Sequence, residues 1–171
     1  MRTLLLMRHA KSSWDNPAMS DHERPLNDRG QLSAPLMGEW LRAQKLVPDL
    51  IVCSDARRTR ETADLLAPAC GFRDKVVITP ELYLATVPTW RKVLRSLPGT
   101  AHRVLCIGHN PGLEELLHEA TGRLQEMKTA SIAQLDLDLP HWEEWDERQA
   151  PLQGQAKVTR VRDIAQDFGL D

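Results

Sequence analysis

Thr3-Leu4-Leu5-Leu6-Met7-Arg8-His9-Ala10-Lys11 is an apolar run that stops on an arginine and a histidine. The run is too short for an independent helix and shows no polar alternation, which predicts a strand buried on both faces. Such a strand delivers Arg8 and His9 to its carboxyl end. In open α/β sheets that edge, where strands give way to loops, is where ligands collect. An arginine and a histidine side by side there supply an anion clamp and a nucleophile.

Outward from this strand, helical and strand patterns alternate. Ser12 to Asn27 is polar, holds Pro17 and Pro25, and is read as a surface loop that forms one wall of any site at the strand end. Leu32, Leu36, Met37, Trp40 and Leu41 recur at helical spacing behind a cap at Asn27, with Pro35 predicting a kink or a later start. Leu50-Ile51-Val52-Cys53 is a second strand. Ser54 and Asp55 then stand where a helix cap belongs, before a helix carrying Ala63, Leu65, Leu66 and Ala69 that ends at Gly71. Arg57, Arg58 and Arg60 fall in its first turns, where backbone N–H groups already favour an anion. Arg57 and Arg60 equally suit a solvated face.

Val76-Val77-Ile78-Thr79 is a third strand, and Pro80 to Pro88 a loop holding Glu81 and Tyr83. Trp90, Val93, Leu94 and Leu97 make a helical stripe that Pro98-Gly99 breaks. Val104-Leu105-Cys106-Ile107 is a fourth buried strand running into Gly108-His109-Asn110-Pro111-Gly112. Here Asn110 is read as a cap and Pro111 as the first residue of a helix buried through Leu113, Leu116, Leu117 and Ala120. Ile132 to Leu139 alternates as an edge or antiparallel strand, and His141 to Trp145 as one more. Gln149 to Lys157 reads as a connector, and Val158, Val161, Ala165 and Phe168 as a short terminal helix. The alternation predicts an α/β three-layer sandwich with a mostly parallel central sheet. Residues 1–171 are read as a single domain in which 148–171 form a C-terminal extension packing on the body.

Composition narrows the function. With 22 basic and 24 acidic residues well mixed and a formal net charge of −2, the chain has no electrostatic footprint for nucleic acid or a membrane surface. Cys53, Cys70 and Cys106 are read as reduced core residues, because their number is odd and their spacing unpaired. Arg8, His9 and Lys11 end the first apolar run too early for a signal peptide. A cytoplasmic protein is the expectation. His102, Cys106 and His109 match no zinc spacing, and two adjacent arginines would disfavour a metal there. The five tryptophans, Trp14, Trp40, Trp90, Trp142 and Trp145, are read as core or packing residues, since no basic stripe accompanies them.

Three strand ends thus carry Arg8 with His9, Arg58 with its neighbours, and His109. If the strands are adjacent, these residues meet in one pocket with the chemistry of a phosphate site. Arginine forks match phosphoryl oxygens two at a time, and positive neighbours keep a histidine neutral and nucleophilic. His9 would attack phosphorus while Arg8, Arg58 and His109 hold the equatorial oxygens.

These motifs resemble the histidine phosphatase superfamily with the phosphoglycerate-mutase-like fold. Arg8-His9-Ala10 resembles its Arg-His-Gly signature, with alanine in place of glycine. Ser54-Asp55-Ala56-Arg57-Arg58-Thr59-Arg60-Glu61-Thr62-Ala63 resembles the second motif and picks Arg58 as the pocket arginine, while Gly108-His109 resembles the second histidine. Arg24-Pro25-Leu26-Asn27-Asp28-Arg29-Gly30, Pro80-Glu81-Leu82-Tyr83 and Gly108 to Gly112 are most similar to the small SixA-type phosphohistidine phosphatases. The resemblance implies that His9 is transiently phosphorylated, that water hydrolyses the phosphoenzyme, and that neither metal nor other cofactor is required.

Many relatives place after the third strand a carboxylic acid that protonates a phosphomonoester's leaving oxygen. The nearest candidate is Glu81, a few residues before the usual place, where Leu84 stands. The short segment from Val76 to Arg103 leaves no room for the helical lid of larger mutases, so an open pocket without a lid subdomain is expected. Phosphohistidine on a protein is the expected substrate, because its P–N bond is weak and its leaving imidazole readily protonated. The alternatives are a small-molecule phosphomonoesterase using Glu81 as acid, and a phospho-recognition module without turnover, which would have no use for His9.

Overall fold

The structure, a computed structural model, describes residues 1–146 and 156–165. Strands β1 (Arg2–Arg8), β2 (Leu50–Ser54), β3 (Val77–Thr79), β4 (Arg103–Gly108), β5 (Ile132–Leu137) and β6 (Lys157–Thr159) form one sheet in the order β3-β2-β4-β1-β5-β6. Strands β1 to β4 are mutually parallel, β5 runs antiparallel to β1, and β6 antiparallel to β5. Helices α1 (Asp28–Ala43) and α2 (Arg57–Cys70) cover one face, α3 (Val87–Arg95) and α4 (Gly112–Thr121) the other, and a short α5 (Val161–Ile164) packs on α1. This is the α/β three-layer sandwich, with its mostly parallel sheet and, among the described residues, no lid subdomain.

The lack of alternation in β1 has a direct cause. Leu4 and Leu6 bury themselves with Val104, Cys106, Trp90 and Leu117, while Leu5 and Met7 bury themselves on the opposite face with Leu105, Ile107, Met37 and Leu66. Each such leucine stabilises the fold by about 1.5–3 kcal/mol through the area it removes from water. The sheet is therefore anchored from both sides along its middle strand. Gly30 fixes α1 to the loop after β1: a Cβ there would stand 2.1 Å from the Lys11 carbonyl oxygen.

Several local expectations are corrected. Helix α1 runs unbroken from Asp28 through Pro35, capped by the Asn27 side chain, which accepts from the Gly30 N–H. Its buried face on α2, through Ala34, Met37, Gly38 and Leu41, offsets the backbone hydrogen bond that Pro35 cannot make. Ser54 and Asp55 do not cap α2, whose cap position is Ala56, and Asn110 does not cap α4, which begins at Gly112. His141 to Trp145 forms no strand: Trp142–Glu144 is a 3-10 turn, and Trp142 within it and Trp145 just after it sink into the core. Val158 lies in β6 rather than in the terminal helix, and Phe168 and most of the connector fall outside the described residues. Strand β5 is not an edge, because β6 covers it.

Cys53, Cys70 and Cys106 are buried and unpaired, and burial pushes the Cys53 and Cys106 thiols up to about 12. Trp14 is the exception among the tryptophans: it is 71% exposed, with the Arg24 guanidinium 3.4 Å over its ring. No helix among the described residues is long and apolar enough to cross a membrane.

Leu5→Ala and Leu6→Ala, which open cavities on opposite faces, are each expected to lower stability by about 2–5 kcal/mol. Urea unfolding checks this. The midpoint should fall in both variants with an unchanged slope.

Candidate active site

Sheet order supplies the adjacency that the motifs require. β2, β4 and β1 are consecutive strands, and the β1–β4 register ends with Arg8 opposite Gly108. His9 and His109 leave the sheet together, their ring centroids 5.2 Å apart. The His9 backbone N–H still donates to the Gly108 carbonyl at 3.1 Å, so the pairing holds up to the site itself. Arg58 enters from the first turn of α2, at the end of β2. Its side chain is almost fully buried.

Hydrogen bonds fix both imidazole tautomers. His9 Nδ1 lies 2.7 Å from the Ala10 carbonyl, which can only accept, so Nδ1 carries the proton. His9 Nε2 is left with its lone pair directed into the pocket, where it accepts from Arg58 Nε at 3.3 Å. Arg58 Nη2 donates to His109 Nδ1 at 3.1 Å, which places the His109 proton on Nε2, 2.8 Å from Ser54 Oγ. Ser54 Oγ also accepts from the Ala56 N–H, so the serine of the second motif orients the second histidine instead of capping the helix.

The surroundings keep both rings neutral. Burial, opposed by the Ala10 hydrogen bond and reinforced by Arg58, Arg8 and Arg24, lowers His9 to about 3. Burial, followed by the charges of His9 and Arg58, lowers His109 to about 2. Asp21, in the loop after β1, balances Arg58. It accepts from Arg58 Nη2 at 3.1 Å, from the Tyr83 hydroxyl at 2.6 Å and from Arg24 Nε at 3.2 Å. Its partial burial would raise its carboxyl, but Tyr83, Arg58 and Arg24 together bring it below the usual range.

The motifs also brace each other. Thr62 Oγ1 accepts from the Ala10 N–H at 3.1 Å and donates to the Arg58 carbonyl at 2.6 Å, tying the end of β1 to α2. Ala10 itself is fully buried among the core residues between the sheet and α1. Its N–H is already taken by Thr62 and its side chain packs in that core, so alanine is accommodated at this position. Arg8 donates from Nη1 to the Met127 carbonyl at 3.0 Å, and its buried Nε has no protein partner. Burial lowers the Arg8 guanidinium, with Glu114 opposing this and Arg58 adding to it.

The cleft, about 300 Å³, is lined by Arg8, His9, Arg58 and His109, together with Lys11, Ser12 and Thr129. Arg57 is instead held by Glu61 at 2.7 Å, and Arg60 is exposed. Glu81 does not reach the cleft: it pairs with Lys92 at 2.8 Å on the surface, while Leu84, in a left-handed backbone conformation, lines the wall. Asp21 and Tyr83 were not singled out as site residues from sequence. The signals available were their places in the two loops flanking the strand ends. Such an arrangement offers a neutral nucleophilic nitrogen surrounded by guanidinium donors, which is suited to holding and attacking a phosphoryl group.

Comparison with known proteins agrees with this chemistry. Residues 4–91 match the histidine phosphatase superfamily (branch 1). The chain belongs to that superfamily. Within it, this histidine phosphatase is of the SixA type. A candidate phosphohistidine phosphatase SixA from Agrobacterium tumefaciens superposes with a TM-score of 0.73 at 29% identity, over 80% of this chain and 92% of that one. The protein histidine phosphatase SixA complexed with tungstate gives the same TM-score at 25% identity, over 92% and 94%. An uncharacterised chloroplast protein of Arabidopsis thaliana is 35% identical over 153 residues, 84% of this chain and 70% of that one. These relationships place this member of the superfamily among hydrolases that act on phosphorylated substrates.

The low imidazole values have a measurable consequence. In a nitrogen-resolved NMR titration, His9 and His109 should stay neutral from pH 7 down to about pH 4, whereas His22, raised by Glu23 and Asp55, should take up its proton above 6.5. The unfolded chain protonates both site histidines near 6.5 and the folded chain does not. Stability should therefore fall by about 1.4 kcal/mol per pH unit for each ring on acidification below that value. His9→Gln should flatten the slope.

Proposed function

We propose that this protein removes phosphate from phosphohistidine on a protein substrate through a phosphohistidine intermediate on His9. The observation that carries the reading is the neutral His9 Nε2, its other nitrogen tied to a carbonyl, at the bottom of a cleft rich in arginine. An entering phosphoryl group draws the Arg58 Nε–H from the His9 lone pair onto its own oxygen. Arg8 and the remaining Arg58 donors hold the other equatorial oxygens. The P–Nε2 bond forms as the substrate's P–N bond breaks, and the substrate imidazole, protonated by solvent on its other ring nitrogen, leaves as a neutral molecule. Water then attacks the phosphoenzyme, releasing inorganic phosphate and restoring neutral His9. Positive charge comes from Arg8 and Arg58, so no step calls for a metal.

The leaving group decides between substrate classes. An alkyl phosphate departs as an alkoxide and needs an acid, yet the carboxylate among the lining residues is Asp21, held ionised by Arg58 and Tyr83. Glu81, on the surface with Lys92, is too removed to serve. An imidazole leaving group is basic enough to be protonated without a dedicated strong acid. The open cleft suits a side chain presented by another protein, and three reduced thiols suit a cytoplasmic setting.

The deciding experiment incubates the protein with a phosphohistidine-bearing protein and separately with an aryl phosphate, quenches rapidly, and locates acid-labile phosphate by mass spectrometry. Label is expected on His9, faster from the phosphohistidine donor and missing in His9→Ala. Phosphate binding without label or turnover would instead make the protein a recognition module. Arg58→Ala should raise the vanadate Kd by tenfold or more, the loss of about 1.5–3 kcal/mol per charged hydrogen bond. Arg57→Ala and Arg60→Ala should leave it within about twofold.

A further inference from the structure

A second cleft, about 380 Å³, opens beside the phosphoryl cleft and shares Arg8, Lys11 and Thr129 with it. Six of its nine lining residues are cations, Arg8, Lys11, Arg29, Lys128, Arg160 and Arg162, and none is acidic. The concentration is local, because the whole chain carries slightly more acidic than basic residues. Four separate segments contribute: the end of β1, the start of α1, the loop before β5 and the β6–α5 junction.

Neighbouring carboxylates do not neutralise it. Glu126 holds Lys128 at 2.6 Å, Asp163 lies 3.7 Å from Arg162 and accepts the Arg160 backbone N–H at 2.8 Å, and Glu114 acts on Arg8 from further away. Lys11 and Arg29 make no ion pair among the described residues. The Nε atoms of Arg8 and Arg160 are buried with no partner. Like charges crowded with only partial compensation destabilise a fold, and buried guanidinium nitrogens without acceptors add to that. An anionic ligand would remove both penalties.

We infer that this cleft binds a second anionic group of the substrate, and that the group is an acidic side chain neighbouring the phosphohistidine on the protein. The inference rests on the phosphohistidine reading for its choice of substrate. Arg8 faces both clefts, so a ligand seated in the second extends directly from the phosphoryl group in the first. A volume of this order admits one or two carboxylate side chains rather than a folded element. The exposed cations at the mouth act mainly on capture and on discrimination between neutral and acidic sequences, and their effect weakens with salt.

The test uses the full-length protein and the triple variant Arg29→Gln/Lys128→Gln/Arg162→Gln, whose side chains are exposed and outside the phosphoryl cleft. Phosphohistidine peptides flanked by glutamate are expected to show a kcat/KM about tenfold above glutamine-flanked counterparts. The triple variant should erase that preference through KM, with acetyl-phosphohistidine turnover unchanged within twofold. No preference in the wild type, or one that survives in the variant, overturns the assignment. A fluorescent unphosphorylated tetraglutamate peptide tests the cleft without turnover. It should bind the wild type at low salt and the variant about tenfold more weakly. Binding of the peptide by a protein that hydrolyses no phosphohistidine would sink the substrate reading and keep the cleft. Hydrolysis without preference or peptide binding would do the reverse. Inorganic tripolyphosphate bound in place of the peptide would overturn the protein substrate in favour of small polyphosphorylated molecules.

Discussion

A single guanidinium, that of Arg58, holds the site together. It donates to His9 Nε2, to His109 Nδ1, and to the carbonyl and carboxylate of Asp21, and it is almost completely removed from solvent. A buried cation is tolerated only when its donors are met and its charge is balanced. Asp21 supplies the balance and the histidines supply acceptors. In the proposed reaction the same donors serve a phosphoryl group, whose oxygens are better acceptors than neutral imidazoles. In the free protein His9, His109 and Asp21 thus stand in for that acceptor, so Arg58 is held in position beforehand. Little of the binding energy need go into arranging it.

The demands on Arg58 propagate outward. Its carbonyl is bound by Thr62, which also receives the Ala10 N–H, so α2 and the end of β1 are fixed by one hydroxyl. Ser54, at the end of β2, sets the tautomer of His109 at the end of β4. Ser54 reads from sequence as a helix cap, which is the commonest use of a serine there. In the fold it is diverted to the site, and α2 starts after Ala56 with no side-chain cap. A motif that breaks a local rule in this way is a sign that tertiary contacts at the site have taken precedence.

The fold class was legible because its signals are strong and local: apolar runs without alternation at β1, β2 and β4, separated by stripes at helical spacing. Arg8 and His9 stand at the end of one such run and His109 just past another, while Arg58 was picked by the second motif; the structure brings all four to one cleft. Strand order was not. Nothing in the spacing of Leu4 or Val104 says that β1 and β4 pair, and the convergence of the two histidines depends on that pairing. Asp21 was missed because a loop residue has no periodicity to mark it, and its partners Arg58 and Tyr83 lie 37 and 62 positions away. Glu81 illustrates the opposite error. Its chemistry suited an acid, but the turn at Pro80–Leu82 leaves it exposed, where Lys92 of α3 captures it.

Placing Leu84 rather than a carboxylate at the cleft wall has a consequence for selectivity. Leu84 and Trp14 are exposed apolar residues at the cleft, and Asp21 is its only acidic lining residue among those described. With the acid absent, a phosphoester meets the nucleophile and the arginines but nothing that protonates its leaving oxygen. In phosphohistidine the ring nitrogen away from phosphorus is basic, so protonation there by solvent prepares the imidazole to leave as a neutral molecule. On the phosphohistidine reading proposed above, selection between the two classes needs no contact that recognises the imidazole itself. It would rest on one missing proton donor, in a cleft whose lining acid, Asp21, is held ionised.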